Sequence, residues 1–155
     1  MILYFLRHAD AEDSAPSDFE RKLTPKGIGQ ADKVGKFLLR HGIEPEVILS
    51  SPVVRAKHTA ESVAKSLCMD ITLEECIACG MRTATLLQRL AAHKGCASLL
   101  LVGHEPDFST TIGDLIGIRD PGALLIQKAS LTAIDTPWLE EGAGQLVFSI
   151  PVRLM

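Results

Sequence analysis

The chain has 155 residues, of which 46% are hydrophobic and 23% charged, and its formal net charge is −3. This length suits one domain with a sizeable core, and the slight negative charge argues against a basic surface for nucleic acid or an anionic membrane. No apolar run approaches the roughly 18 residues of a membrane helix, and the N-terminus lacks the features of a signal peptide. We therefore expect one cytoplasmic domain over residues 1–155 that contacts neither nucleic acid nor membrane.

Strand and helix signals alternate along the chain. ILYFL (2–6) is an apolar run typical of a buried strand, EVILS (46–50) and SLLLVG (98–103) are further apolar strands, and DITLE (70–74) is interpreted as a third strand in chain order. Segments with helical spacing lie between and after them, at 25–41, 52–67, 83–93 and around 108–116. The last two apolar segments, SLTAIDT and QLVFSIP, are separated by a turn-like WLEEGAG and predict a hairpin. This alternation predicts a three-layer α/β/α sandwich with a mostly parallel sheet of about six strands.

Two of the helices have clear start signals. Thr24 and Pro25 have the residue types favoured at an N-cap and a first helical position, and Gly42 suits the end of the same helix. Ser51 and Pro52 predict the start of the next helix in the same way.

Polar side chains follow three of the predicted strands. Arg7 and His8 end the first strand, Arg55 lies in the first turn of the helix after the second, and His104 follows the fourth. Because the carboxyl ends of parallel strands meet at one edge of a sheet, we expect these four side chains to lie together. The other three histidines (His41, His58 and His93) fall on helices and are interpreted as structural.

Two arginines beside two histidines suit phosphoryl chemistry. The guanidinium fork matches phosphate oxygens, and the helix start after Ser51 adds N–H groups that favour an anion. A neutral imidazole can attack phosphorus without a metal, and a second imidazole can donate hydrogen bonds to the transferring group. The pattern predicts phosphoryl transfer through a phosphohistidine intermediate, with neither a metal nor a cofactor.

The four cysteines are predicted to be reduced and structural. Cys76 and Cys79 form a C-x-x-C, but no second pair stands at zinc-site spacing, and CIACG lies in a loop-like stretch rather than opening a helix.

The segments LRHAD, SSPVVRAKHTA and VGHEP resemble the three signatures of the histidine phosphatase superfamily, also called phosphoglycerate mutase-like. The short length, the RHAD variant and the pattern D-x-x-R-x-L-T-x-x-G over residues 18–27 make the chain similar to the SixA-type phosphohistidine phosphatases. The resemblance covers nearly the whole chain and implies a phosphoglycerate mutase-like fold. By this resemblance His8 is the nucleophile, and Arg7, Arg55 and His104 form its phosphate pocket. Arg21 matches an accessory position near that pocket.

The general acid stays open at this point. The span between Arg55 and His104 leaves room for only about one helix and one strand, so the helical lid that carries the acid in many relatives is expected to be absent. Glu75 matches the donor in chain order, and Glu105 stands next to the second histidine, as the acid does in the acid-phosphatase branch. Asp10 and Asp18 are weaker candidates.

A site without a lid can admit a phosphorylated side chain of another protein. We therefore expect a phosphohistidine substrate on a His-containing phosphotransfer domain or phosphocarrier protein in signal transduction. Three alternatives are a small-molecule phosphomonoesterase on the same site, a non-catalytic phospho-ligand-binding module, and a metal-dependent hydrolase. The two arginines argue against the last alternative, since they repel a cation.

Overall fold

Six strands form a single sheet in the computed structural model, which describes residues 1–155. The strands are β1 (Ile2–Arg7), β2 (Val47–Ser50), β3 (Ile71–Leu73), β4 (Ser98–Gly103), β5 (Leu131–Asp135) and β6 (Gln145–Ile150). Their order in the sheet is β3-β2-β4-β1-β5-β6. The first four in this order pair in parallel, whereas β5 runs antiparallel to β1 and β6 antiparallel to β5. The predicted mostly parallel sheet and the terminal hairpin are thus confirmed.

Helices cover both faces of the sheet. They are α1 (Pro25–Arg40), α2 (Val54–Leu67), α3 (Thr83–Leu90) and α4 (Asp107–Ile116). One hydrophobic cluster joins α1 and α2 to one face of the sheet, and a second cluster joins α3 and α4 to the other. The predicted three-layer α/β/α sandwich is therefore confirmed. The central strands β1, β2 and β4 are largely buried, as a parallel sheet with two covered faces requires, whereas Thr72 and Leu73 of the edge strand β3 are exposed.

The helix starts agree only in part with the sequence. Thr24 caps α1, because its side chain accepts the Gly27 N–H at 3.0 Å. The prediction that Ser51 caps α2 is wrong, since the helix begins at Val54 and the residue before it, Val53, has an extended backbone. The Ser51 hydroxyl accepts the Val53 N–H at 3.2 Å one residue ahead of the helix and also faces His104. Ser51 therefore belongs to the turn between β2 and α2.

The polar segment 9–22 packs against the start of α1. A Cβ on Gly27 would lie 1.9 Å from the Asp10 carbonyl oxygen, so only glycine permits this close approach. The Asp10 carboxylate accepts hydrogen bonds from Thr24 and Lys128, at 2.8 and 2.7 Å, and its backbone N–H donates to Gln30. These bonds anchor the segment that follows β1, and they assign Asp10 a structural role.

The carboxyl ends of β1, β2 and β4 meet at one edge of the sheet. Between Arg55 and His104 the chain contains the rest of α2, then β3, α3, β4 and two short 3₁₀ turns. No helical insertion covers this edge, so the expected absence of a large lid is confirmed. None of the four helices is long and apolar enough to cross a membrane.

Candidate active site

His8 lies directly after β1, and the residue is 7% exposed. The ring Nδ1 is 2.8 Å from the carbonyl oxygen of Ala9, and a carbonyl can only accept. Nδ1 therefore carries the hydrogen, and Nε2 keeps its lone pair. Arg55 donates from Nε to that Nε2 at 3.3 Å. The result is a fixed ring whose unprotonated nitrogen faces a cation.

Arg55 lies in the first turn of α2 and is 5% exposed. Besides its bond to His8, it donates to the Asp18 carbonyl at 2.7 Å and to the Asp18 carboxylate at 3.1 Å. Its Nη2 is also 3.6 Å from the Cys79 sulfur. Thr59, one turn further along α2, accepts the Ala9 N–H at 3.1 Å and so fixes α2 to the segment after β1.

His104 and Arg7 complete the cluster. His104 follows β4, is 2% exposed, and its ring centroid lies 5.3 Å from that of His8. Its Nε2 is 2.9 Å from the Ser51 hydroxyl oxygen. Arg7 donates from Nη1 to the Ile126 carbonyl at 2.8 Å. It lies near both rings, since its positive charge adds to burial in lowering the pKa of His8 and of His104. The structure thus brings together the four side chains that follow the three strands.

Two buried nitrogens in this cluster have no hydrogen-bond partner. They are Arg7 Nε and His104 Nδ1, and no other buried side-chain nitrogen or oxygen in the chain lacks one. Buried polar groups are nearly always paired, so unpaired ones need an explanation. Because both flank His8 among cationic groups, an anionic ligand would satisfy them.

Both histidines of the cluster are neutral at neutral pH. Burial, followed by the charges of Arg55 and Arg7, lowers the pKa of His8 to about 4, although its bond to Ala9 acts in the opposite direction. Burial, then His8 and Arg55, lowers the pKa of His104 to about 3. A neutral imidazole among cations retains its lone pair and can act as a nucleophile or as a single N–H donor.

These low pKa values predict a loss of stability in mild acid. The unfolded chain protonates its histidines near pH 6.5, but the folded chain resists protonation of His8 and His104 until about pH 4 and about pH 3. The free energy of unfolding should therefore fall as the pH drops below 6.5, by up to about 1.4 kcal/mol per pH unit for each of the two groups. Urea unfolding between pH 7 and pH 4.5, in buffers without phosphate, measures this slope. In His104→Gln one proton fewer is taken up on unfolding, so the slope of the unfolding free energy against pH should decrease accordingly. An unchanged slope would contradict the prediction.

The four carboxylates named in the sequence lie in different surroundings. Glu105 is half-buried and accepts the Ser109 N–H at 3.2 Å. Burial raises the pKa of its carboxyl group, although the hydrogen bond with Ser109 and the charge of Arg7 act in the opposite direction. Glu75 is exposed in the 3₁₀ turn Glu75–Ile77 and makes no hydrogen bond or ion pair with the cluster. Asp10 is held by Thr24 and Lys128 as described above.

Asp18 and Arg21 form the rim. Arg21 does not contact the four clustered side chains directly, but its Nη1 lies 3.0 Å from the Asp18 carboxylate that also contacts Arg55. The Asp18 pKa is lowered, first by the hydrogen bond from Arg21 and then by the charge of Arg55. The Asp18 carboxylate is therefore ionised and paired with the guanidinium of Arg55. An incoming anion would compete with it for the N–H donors of Arg55.

Two residues at the site were missed or set aside by the sequence reasoning. Ser51 was assigned to a helix cap, and Cys79 was interpreted as structural, yet both contact clustered side chains. All four cysteines are free thiols. Nothing in the local sequence around Cys79 signals its position, because the approach to Arg55 depends on the turn after β3. Nowhere do three His, Cys, Asp or Glu side chains cluster in a way that could hold a metal ion.

Residues 3–78 match the family model described as "Histidine phosphatase superfamily (branch 1)". The chain is 32% identical over 127 residues to the phosphohistidine phosphatase SixA of Escherichia coli K12. This alignment covers 79% of this chain and 76% of that protein. It is 32% identical over 134 residues to the SixA homolog of Haemophilus influenzae, covering 78% and 80%. Its fold matches a structure of the protein histidine phosphatase SixA complexed with tungstate, with a TM-score of 0.88, 24% identity and 99% of each chain covered.

Proposed function

The chain belongs to the histidine phosphatase superfamily, and from this membership we propose that it removes phosphate from phosphohistidine through a covalent intermediate on His8. The observation that carries the proposal is the hydrogen bond from His8 Nδ1 to the Ala9 carbonyl, at 2.8 Å. It leaves a neutral Nε2 lone pair inside a ring of cationic donors, where an oxyanion would bind. In this proposal the nucleophile and the phosphate-binding groups share one site at the edge of the sheet.

In the proposed first step His8 Nε2 attacks phosphorus. Arg7, Arg55 and His104 hold the three equatorial oxygens, so the unpaired Arg7 Nε and His104 Nδ1 gain acceptors. The Nε2–P bond forms while the P–N bond to the substrate imidazole breaks. With its other ring nitrogen protonated, that imidazole leaves as a neutral molecule and needs no proton from the enzyme. The Ala9 carbonyl stabilises the positive charge on the phosphorylated His8 ring through the Nδ1–H.

In the second step water attacks the phosphorus of the intermediate. The Nε2–P bond breaks, its electron pair returns to His8 Nε2, and the protons of the water leave with inorganic phosphate. His8 regains the neutral Nδ1–H form in which it began, because Nδ1 keeps its hydrogen bond throughout.

We propose a protein as the substrate. The edge of the sheet has no lid, and an open site can accept a phosphorylated side chain on a folded surface. The two relatives named above are phosphohistidine phosphatases. We therefore propose a His-containing phosphotransfer domain or phosphocarrier protein of a cytoplasmic signalling pathway as the substrate. Arg21 contributes at the rim by holding Asp18, which the phosphoryl group displaces from Arg55.

A kinetic panel tests this function. The purified protein is given a phosphorylated His-containing phosphotransfer domain, free phosphohistidine, and small phosphomonoesters, each with and without EDTA. We expect the phosphorylated domain to have the highest kcat/KM, with no effect of EDTA. Far faster release from small esters would instead support the phosphomonoesterase, and activity abolished by EDTA would support the metal-dependent hydrolase. Binding of phosphate without any turnover would identify a binding module.

We propose Glu105 as the proton donor for ester substrates. An alkoxide leaving group needs a proton, and a carboxyl group whose pKa is raised by burial is suited to supply one. Glu105 follows His104 directly and lies within electrostatic reach of Arg7. Exposed Glu75 has neither feature. This half-buried acid is the observation that favours phosphomonoesters as a second class of substrate.

The change Glu105→Gln should separate the two classes. We expect ester hydrolysis to fall about 100-fold, the lower range for general acid catalysis, while hydrolysis of phosphohistidine falls less than about threefold because its imidazole leaves without a proton. Initial rates on both substrates measure the ratio. Glu75→Gln is the matched control and should leave both rates within about twofold. Equal losses on both substrates in Glu105→Gln would contradict the assignment.

A further inference from the structure

His104 has one ring nitrogen that is paired and one that is not. Nε2 lies 2.9 Å from the Ser51 hydroxyl oxygen, whereas Nδ1 is buried without a partner. Ser51 is fully buried, so water does not reach its hydroxyl group. The proton on the His104 ring is therefore decided by which of the two groups donates in this one hydrogen bond.

The hydrogen bonds of Ser51 decide the direction. Its hydroxyl oxygen already accepts the Val53 N–H at 3.2 Å, and the hydroxyl contacts no acceptor other than His104 Nε2. If Nε2 donated, the hydroxyl hydrogen would be buried without an acceptor, which costs roughly 1–3 kcal/mol. If the hydroxyl donates, every polar atom of Ser51 is satisfied. The second arrangement is the one that buried polar groups adopt.

The direction has a consequence for the other side of the ring. A neutral imidazole carries one hydrogen, so a ring that accepts at Nε2 must hold its hydrogen at Nδ1. Burial keeps His104 neutral, because its pKa is lowered to about 3. The unpaired Nδ1 of His104 is then an N–H donor and not a lone pair. The ring centroids of His104 and His8 are 5.3 Å apart. A donor is the group that can bind an anionic oxygen there.

We infer that Ser51 is a positioning residue that holds His104 in the Nδ1–H tautomer and so presents an N–H donor to the phosphoryl oxygen. The inference rests on the proposed function for the identity of the anion, but the tautomer itself belongs to the ligand-free protein. Ser50 makes a matched comparison. It is the neighbouring buried serine, yet its hydroxyl donates to the Ser51 carbonyl at 3.0 Å and makes no hydrogen bond to a histidine.

Nitrogen-15 NMR of the histidine rings in ligand-free protein at pH 7 tests the tautomer directly, with His104→Gln used to assign the signals. We expect wild type to show a protonated Nδ1 and an unprotonated Nε2 at His104. Ser51→Ala should shift the ring towards the Nε2–H form, and Ser51→Thr, which keeps a hydroxyl, should retain the wild-type form. Ser50→Ala should leave the tautomer unchanged.

Tungstate affinity by calorimetry supplies the second readout. Losing one donor to an oxyanion should weaken binding about tenfold in Ser51→Ala and leave it unchanged in Ser50→Ala. An Nε2–H form in wild type overturns the inference, even if no variant folds. So does a Ser51→Ala protein with unchanged tautomer and unchanged affinity. Because the tautomer is measured without turnover, failure of the His8 mechanism in the kinetic panel would leave this result standing.

Discussion

Replacing His8 with alanine is expected to lower turnover at least about a thousandfold while tungstate still binds. No other side chain offers a neutral lone pair at this position, because His104 faces Ser51 through Nε2 and has its own ring hydrogen directed towards the ligand in the proposed arrangement. Arg7 and Arg55 keep their positions through bonds to the Ile126 and Asp18 carbonyls, so the anion site survives the change.

The measurement combines turnover on a phosphorylated His-containing phosphotransfer domain with calorimetry of tungstate binding. His41→Ala is the control, since His41 is exposed at the C-terminal end of α1, its ring packs against Phe37, and it makes no hydrogen bond to the four clustered side chains. It should keep full activity. Brief incubation of wild type with labelled substrate should trap an acid-labile, base-stable phosphoenzyme on His8. Substantial turnover in His8→Ala, or a label on another residue, would disprove the covalent mechanism.

Replacing Arg55 should be nearly as damaging, and lysine should not restore it. We expect kcat/KM to fall about 1,000-fold in Arg55→Ala and about 100-fold in Arg55→Lys, because one ammonium cannot replace a planar fork of donors. In the structure that fork reaches His8 with Nε while its two Nη groups contact the backbone and carboxylate of Asp18. Lysine keeps the charge but can satisfy only part of this set.

Arg89→Lys provides the matched control for Arg55→Lys. Arg89 also forms a two-pronged contact, with Nε and Nη2 donating to the Glu74 carboxylate at 2.9 and 2.8 Å, but it lies on α3, and its guanidinium makes no hydrogen bond to the cluster. Its replacement should lower the melting temperature slightly and leave kcat/KM unchanged. If Arg55→Lys retains more than half of the wild-type kcat/KM, bidentate binding of the phosphoryl group by Arg55 is wrong.

Much of the framework could be predicted from local sequence. The apolar run over 98–103 became β4 with the predicted bounds, and Thr24 with Pro25 began α1 as expected. Periodicity and end signals act over a few residues, so they are visible without knowing the fold. The expected meeting of Arg7, His8, Arg55 and His104 followed from one further rule, that parallel strands place their carboxyl ends at the same edge.

The contacts around those four side chains could not be predicted in the same way. Asp18 reaches Arg55 across 37 positions, and Ser51 reaches His104 across 53. Such pairs depend on how loops and turns are folded against the sheet, and the same residue types also suit solvent-exposed loops or helix caps. The choice between Glu75 and Glu105 as the proposed donor likewise rests on burial, which chain order does not reveal.

The sequence by itself determined the α/β architecture and the four side chains that meet at the sheet edge, because secondary structure follows local periodicity and parallel strands share a direction. Only the tertiary structure decided the protonation and pairing at that edge. Desolvation keeps His8 and His104 neutral, the Ala9 carbonyl selects the free nitrogen of His8, and a serine hydroxyl faces His104. Desolvation requires the surrounding core to exclude water, and the contact between Ser51 and His104 joins residues 53 positions apart. The bond between His8 and Ala9 is local in sequence, but it depends on the backbone conformation after β1, which sets the distance at 2.8 Å.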